Sequence, residues 1–490
     1  MLAILAAAAL LHGRVTNSAT GAGLGGVQVS NGRDLATTAA DGRYALPAHG
    51  RFVFVVKPAG WAAAGPTPFR SPLPVHELAG GAADPAEIDF GLRRVPEAAA
   101  YDVLVIADTQ PANAREVGYL ERSLTRPLAR AGALGCAFGL TLGDVTYDRP
   151  DLYPSINAAL AELPLPWFMV NGNHDLNLGI AGEHAVDAYE STYGPSTYAF
   201  HWGPALFIAL NDVRHEGGPR YHGGLLPDQW SFLGNLLAGT PATTPVVLFC
   251  HIPLFADNPF APPAFPVRDR LALFTLLRRF SAVLVLSGHT HTQRRVIYTA
   301  AEGWNGAAPL LEDNVAAACG GFWGGPLDAA GAPISTMSDG TPPGYAVVHV
   351  SAAGFAAAYH RRPDLGPPDE PSAHLSLHVP RVVAPGQGYV TFYVNDFDGG
   401  PDTEVRARVD DGGWLILRRV YAWDPNYASA YLAQDVAEVP PKTPRLPDPT
   451  LCFHLWRGFL PAGLALGPHR LTVRAGADAG SAEFAVRTAN

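Results

Sequence analysis

Lysine is almost missing from this chain: Lys57 and Lys442 are the only two in 490 residues. With a formal net charge of −10 and arginines scattered along the chain, there is no basic stripe of the kind that tracks a phosphate backbone. Binding of long nucleic acid is thereby excluded. Cysteine is scarce too. Cys136, Cys250, Cys319 and Cys452 are widely spaced and form no CxxC pair, so neither a zinc knuckle nor a disulfide framework is indicated. Cys136 and Cys250 sit in apolar runs and read as buried thiols. Outside the extreme N-terminus no apolar run approaches the roughly 20 residues that span a bilayer, so no transmembrane segment is expected. Gly (52) and Pro (45) stay below the roughly 25–30% typical of low complexity, and they cluster between apolar runs, which points to loop-rich folded domains.

What is present begins with residues 2–11, LAILAAAALL, which resemble the apolar part of a signal peptide although no Lys or Arg precedes them. A plain N-terminal strand or helix is the alternative. The expected location is periplasmic or secreted, in a bacterium whose genome composition favours Arg over Lys. Residues 12–97 alternate short β-like runs (GVQVS, GRYALP, RFVFVVKP) with turn pairs such as Asn31-Gly32 and Asp41-Gly42, the pattern of a small β-sandwich. It resembles the carboxypeptidase-regulatory-like modules of exported proteins.

Over 98–362 the pattern changes to apolar strands alternating with amphipathic helices, the signature of an α/β domain with a buried sheet. Expected strands are 102–107, 136–142, 166–170, 246–250 and 282–287; expected helices are Glu116–Arg130, Asp228–Leu237 and Arg268–Phe280. A Pro-rich linker, PDLGPPDEP, then leads to 371–490, where β-like runs return and predict a second β-sandwich.

Each of the five strands is followed within a residue or two by a metal-competent side chain. The first ends in Asp108-Thr109-Gln110, the second in Gly143-Asp144, the third in Asn171-Gly172-Asn173-His174-Asp175, the fourth in His251, and the fifth in Gly288-His289-Thr290-His291. Ligands of open α/β sheets bind outside the carboxyl ends of the strands, so these segments should converge on one crevice. Any one segment alone reads as an ordinary turn or a satisfied histidine. Five in succession do not.

These motifs resemble those of the calcineurin-like metallophosphoesterases, D-x-H, G-D, G-N-H, H and G-H-x-H. SDGTPPGYAVV and WDPNY…FHLWRGFLPAGLALGPHRLTVRA further resemble the subfamily flanked by its own N- and C-terminal β-domains. The resemblance implies a four-layer α/β core, two β-sheets covered by helices, flanked by two small all-β sandwiches. It implies two divalent ions, one held by Asp108, Gln110, Asp144 and His291 and the other by Asp144, Asn173, His251 and His289, with Asp144 bridging. Mn²⁺, Fe or Zn²⁺ suits that mixed set of oxygen and imidazole donors. Gln110 departs from the commoner His, and an uncharged amide there weakens the first site and favours Mn²⁺ or Mg²⁺. The implied activity is hydrolysis of phosphomonoesters or phosphodiesters by in-line attack of a water-derived hydroxide shared by the two ions. His174 would serve as general acid or phosphoryl-oxygen donor, with Asp148 or Asp175 orienting it. His215, Tyr221, His222 and Trp323, in loops between the motifs, are the candidate contacts to a phosphorylated small-molecule, lipid or glycan substrate. No protein partner is indicated. The competing expectation is a cell-surface or secreted binding protein with a vestigial metal centre, against which the intact ligand set argues. A metal-dependent hydrolase of other esters is a third.

Overall fold

The computed structural model of the chain describes residues 10–65, 68–70, 87–180, 182–256, 262–366 and 374–488. Residues 2–9 of the signal-like segment and 367–371 of the Pro-rich linker lie outside the described residues. Leu10 and Leu11 open the first strand, Leu10–Asn17.

Two mixed sheets form the centre. In one, Trp167–Val170, Phe138–Leu142 and Tyr101–Ile106 run parallel, and Gly344–Ser351 and Gly354–Arg361 complete it antiparallel. In the other, Ala205–Ala209, Val246–Phe249, Val283–Ser287 and Leu310–Asn314 are parallel, with Tyr198–Trp202 and Arg294–Tyr298 antiparallel at the edges. Alternation along Tyr101–Ile106 explains the apolar run Val103–Ile106, buried on both faces. Val103 and Val105 face the second sheet, where they join Phe138, Leu140, Phe207 and Phe249. Leu104 and Ile106 face outward onto Leu120, Leu124 and Ile156. The second sheet is covered in the same way, by Phe232 and Leu236 of Pro227–Ala238 and Leu273 and Leu277 of Val267–Leu277. The result is four layers, helix on sheet on sheet on helix.

The helix expected over 116–130 is interrupted. Asn113 caps Ala114–Leu120 by accepting the N–H groups of Arg115 and Glu116, a widened π turn occupies Glu121–Thr125, and Arg126–Arg130 follows. Pro127 has no N–H to give the carbonyl four residues back, and Arg126 N–H reaches Glu121 O instead. Helices at Tyr153–Leu160 and Asp187–Tyr193 are too short to show a period in sequence.

The N-terminal domain is a sandwich of two four-stranded sheets around Val15, Val29, Val53, Val55 and Phe90. It shares a core with the centre: Phe54 meets Phe232 edge-on, 5.8 Å between ring centroids. Lys57 forms a buried 2.6 Å ion pair with Glu97. The C-terminal domain packs a four-stranded and a five-stranded sheet around Val394, Val405, Trp456 and Val473. All four cysteines are free and buried. Among the described residues no helix is long and apolar enough to cross a membrane.

Candidate metal centre

The five segments after the parallel strands meet at one end of the two sheets, knitted by backbone bonds. Asp108 N–H donates to Gly143 O (3.2 Å), Gln110 N–H to Asp144 O (3.0 Å), Gly288 N–H to His251 O (3.0 Å) and Cys319 N–H to Asp108 O (3.1 Å). Two glycines make this approach feasible. A Cβ on Gly172 would lie 2.1 Å from Asp144 Oδ1, and one on Gly143, at φ +88°, would lie 2.8 Å from His251 Nδ1. Asp108, Gln110, Asp144, Asp148, His289 and His291 all have positive φ. Left-handed backbone is costly for such residues, and its concentration here marks a site whose surroundings hold it in place.

The ligand atoms of Asp144, His251 and His289 lie within 4.8 Å of one another. His251 Nδ1 is 2.8 Å from Leu142 O, so it carries the ring proton and leaves the Nε2 lone pair facing inward. That lone pair meets Asn173 Oδ1 at 3.0 Å, His289 Nδ1 at 3.2 Å and Asp144 Oδ2 at 3.3 Å. His291 is fixed likewise, Nδ1 giving its proton to Gly320 O at 2.7 Å while Nε2 lies 3.7 Å from Asp108 Oδ1. Acceptors converging with so few protons among them suit a cation, and the donor chemistry fits first-row divalent ions. Burial disfavours the His251 imidazolium, but the Asp144 carboxylate beside it pushes its pKa up to about 10, so a cation bound here would displace a proton from Nε2. Burial pulls His289 down to about 3 and His291 to about 4, so both are neutral donors at neutral pH. Burial, with Asp144 nearby, lifts Asp108 to about 8.

Gln110 sits in the cluster, but its Nε2 donates to Asp144 Oδ2 at 2.7 Å while its Oε1 faces Cys319 Sγ at 3.6 Å. A half-turn of the amide exchanges the two ends. His174 donates its backbone N–H to Asp144 Oδ1 (2.8 Å), and its ring Nδ1 lies 3.0 Å from Asp148 Oδ1. Asp148 therefore orients this imidazole. Asp175, the other candidate, does not. Its buried carboxylate accepts the N–H groups of Gly172 (2.8 Å), Val145 (3.1 Å) and Thr146 (3.2 Å), tying two of the loops together, and burial raises its pKa to about 7.

The candidate substrate contacts divide. Tyr221, on the hairpin Val213–Gly217 and Arg220–Gly223, stands edge-on to His289 with 5.7 Å between centroids. His215 and His222 instead line a cavity of about 650 Å³ between the N-terminal and central domains. Trp323 is a correction: it is 1% exposed, and its indole N–H donates to Thr109 O at 3.0 Å, so it braces the first motif from within the core. Its neighbour Phe322 is the exposed ring, stacked on His291 at 4.2 Å. Sequence reasoning also passed over Tyr147, stacked on His174 at 4.2 Å, and two buried carboxylates. Asp212 accepts the N–H groups of His251 (3.2 Å) and Ile252 (3.0 Å), and Glu312 accepts that of Leu254 (2.9 Å). The exposed aromatic beside GD and the FIALND motif were the available signals.

Three family models match in succession: N terminal of calcineurin-like phosphoesterase over residues 10–94, calcineurin-like phosphoesterase over 101–293, and C terminal of calcineurin-like phosphoesterase over 312–482. Together they span most of the chain, which belongs to the calcineurin-like phosphoesterases, a family of phosphoester hydrolases. A curated relative, a probable cyclic nucleotide phosphodiesterase of Rhodopseudomonas palustris, is 30% identical over 121 residues, 24% of this chain and 43% of the relative. The chain thus spans less than half the length of that relative. Among solved structures, PhoD is 13% identical (TM-score 0.39, covering 80% of this chain and 90% of that one). A dimetal phosphatase from Danio rerio is 14% identical (TM-score 0.35, covering 53% and 98%). At such scores the family assignment rests on the sequence matches.

Proposed function

We propose that this chain is a metal-dependent hydrolase of phosphate esters, with two divalent ions held by Asp108, Gln110, Asp144, Asn173, His251, His289 and His291. The observation that carries this reading is the convergence of Asp144, His251 and His289 within 4.8 Å, with the lone pair of His251 turned inward by Leu142 O. Two such ions, when bound there, would supply a water of lowered pKa and would neutralise charge on the phosphoryl group. His174 supplies the proton: Asp148 holds its Nδ1, leaving Nε2 to donate to the leaving-group oxygen. No residue of the protein need act as nucleophile.

Mn²⁺, Fe and Zn²⁺ are the candidate ions. The name of the Rhodopseudomonas relative makes cyclic nucleotides one diester class to assay, beside phosphorylated small molecules, lipids and glycans. The apolar residues 2–9, ahead of the first strand, support a periplasmic or secreted location, which cell fractionation tests. The deciding experiment is metal analysis of the purified protein with assays of p-nitrophenyl phosphate and bis-p-nitrophenyl phosphate. A metal content near two per chain with turnover of either ester supports the reading; no turnover with any of the three metals overturns it.

A further inference from the structure

We propose that Tyr147, Phe322 and Tyr221 form an aromatic rim selecting phosphoesters whose organic group carries a planar ring. The proposal rests on the phosphoesterase reading of the metal centre. Each ring lies against a different imidazole of that centre. Tyr147 stacks on His174 (4.2 Å between centroids, 21° between planes), Phe322 stacks on His291 (4.2 Å, 23°), and Tyr221 meets His289 edge-on (5.7 Å, 82°). All three remain open to solvent, at 39%, 40% and 36% exposure, whereas rings of this size are ordinarily covered. Three exposed aromatics grouped around a polar centre are a binding surface more readily than a packing outcome.

The backbone supports the same conclusion. Phe322 and Trp323 are consecutive non-glycine residues with φ of 56° and 53°. Left-handed conformation disfavours both, and only Trp323 gains burial that offsets it. For the exposed Phe322 what the conformation secures is the placement of its ring over His291.

The geometry also indicates which organic group fits. Tyr147 and Phe322 stand at 83° to each other with 6.3 Å between centroids, forming a corner. A planar ring seated there lies face to face with one and edge to face with the other, the two arrangements that aromatic quadrupoles prefer. A saturated group of equal size gains only the contact area. Stacking of this kind is tolerant of substituents, so the rim selects for ring character and not for one named compound.

The test uses phosphonates, which bind without being hydrolysed. Calorimetry on Mn²⁺-loaded protein compares phenylphosphonate with cyclohexylphosphonate and methylphosphonate. The expected result is phenylphosphonate binding about tenfold tighter than either. In Tyr147→Leu/Phe322→Leu the preference should fall to about threefold or less with methylphosphonate affinity kept, while Phe322→Tyr retains it. Cyclohexylphosphonate binding as tightly as phenylphosphonate, an unchanged preference in the double variant, or failure of every phosphonate to bind overturns the rim. A clear phenyl preference in a protein that turns over no p-nitrophenyl ester removes the hydrolase reading and leaves the rim standing. Turnover without any such preference does the reverse.

Discussion

The imidazole of His454, in the C-terminal β-domain, lies 3.1 Å from the carboxylate of Asp339, which in turn accepts the backbone N–H of Gln293, two residues beyond His291. The side chain of Gln293 continues the chain of contacts, donating to Asp313 (2.9 Å) and accepting from Ala316 N–H (2.9 Å). Asn395 closes the other side of the ring, 2.6 Å from His454 Nδ1. Every member is buried, so the C-terminal domain is tied into the support of the GHTHTQ loop.

His454→Ala should therefore act at a distance. Removing the imidazole leaves the buried Asp339 carboxylate only the N–H groups of Gln293 and Thr341, and breaking a buried charged pair costs at most about 3–5 kcal/mol. Denaturant unfolding should show a loss up to that size, and titration should show weaker metal binding with His291 itself unchanged. Wild-type metal affinity in a folded variant would mean that the loop holds its shape without the C-terminal domain.

Asp144 is the centre of the cluster, touching Gln110, His174 and His251 at once. Asp144→Ala should lose both metal occupancy and hydrolysis, because the proposed bridging carboxylate serves both ions. Elemental analysis with a parallel ester assay checks this; two bound metals and near-normal turnover would refute a shared ligand.

For His174 the expectation differs in kind. His174→Ala should keep its metals while kcat falls by about 10²-fold or more, the usual worth of a positioned acid. Asp148→Asn should lower kcat less, since the 3.0 Å contact to Nδ1 survives as a neutral hydrogen bond. Metal loss in the His174 variant would make that residue a ligand.

The motif residues were legible because a strand end followed by a metal-competent side chain recurs five times, three of them with a glycine, and periodicity located the strands. The four layers came only from the family resemblance, since a strand buried on both faces reads alike in one sheet or two. What could not be read was long-range. Asp148 and Asp175 both flank the motifs, and only the fold shows one facing His174 and the other buried under Tyr153. Phe322 and Trp323 are adjacent aromatics in a glycine-rich loop, and the left-handed backbone that sends one outward leaves no trace in composition.

At the junction of the N-terminal and central domains, burial and the nearby Lys57 charge lower the pKa of His201 to about 4. An unfolded chain takes up this proton near pH 6.5, so it binds more protons than the folded one below that pH. Stability should then fall as pH drops from about 6.5 towards 4, by at most about 1.4 kcal/mol per pH unit from this group, and level off below. His201→Asn should flatten that part of the profile, because Lys57 bonds the backbone carbonyl of residue 201 and not its ring. Unfolding midpoints measured across the range decide it, an identical slope in both proteins counting against His201.

Gln110 is where this chain departs from the commoner motif. Its amide lies 2.7 Å from Asp144 and is buried, so it is either an oxygen ligand after a half-turn or a donor that holds the carboxylate. The two roles respond oppositely to Gln110→His. If the amide oxygen is a ligand, an imidazole replaces a weak neutral donor by a stronger one, and affinity for Zn²⁺ or Fe at the Asp108–His291 side should rise while the need for added Mn²⁺ falls. If it only donates to Asp144, the ring gains no bond to metal, and crowding against Cys319 Sγ, now 3.6 Å from the amide, should weaken both sites slightly. Rate need not follow affinity, because a new imidazole lacks a partner to fix its tautomer. Titration of both proteins with each metal, read before activity is measured, separates the outcomes. Tighter Zn²⁺ binding makes Gln110 a ligand; unchanged or weaker binding makes it the residue that positions Asp144, and leaves the first ion to Asp108, Asp144 and His291.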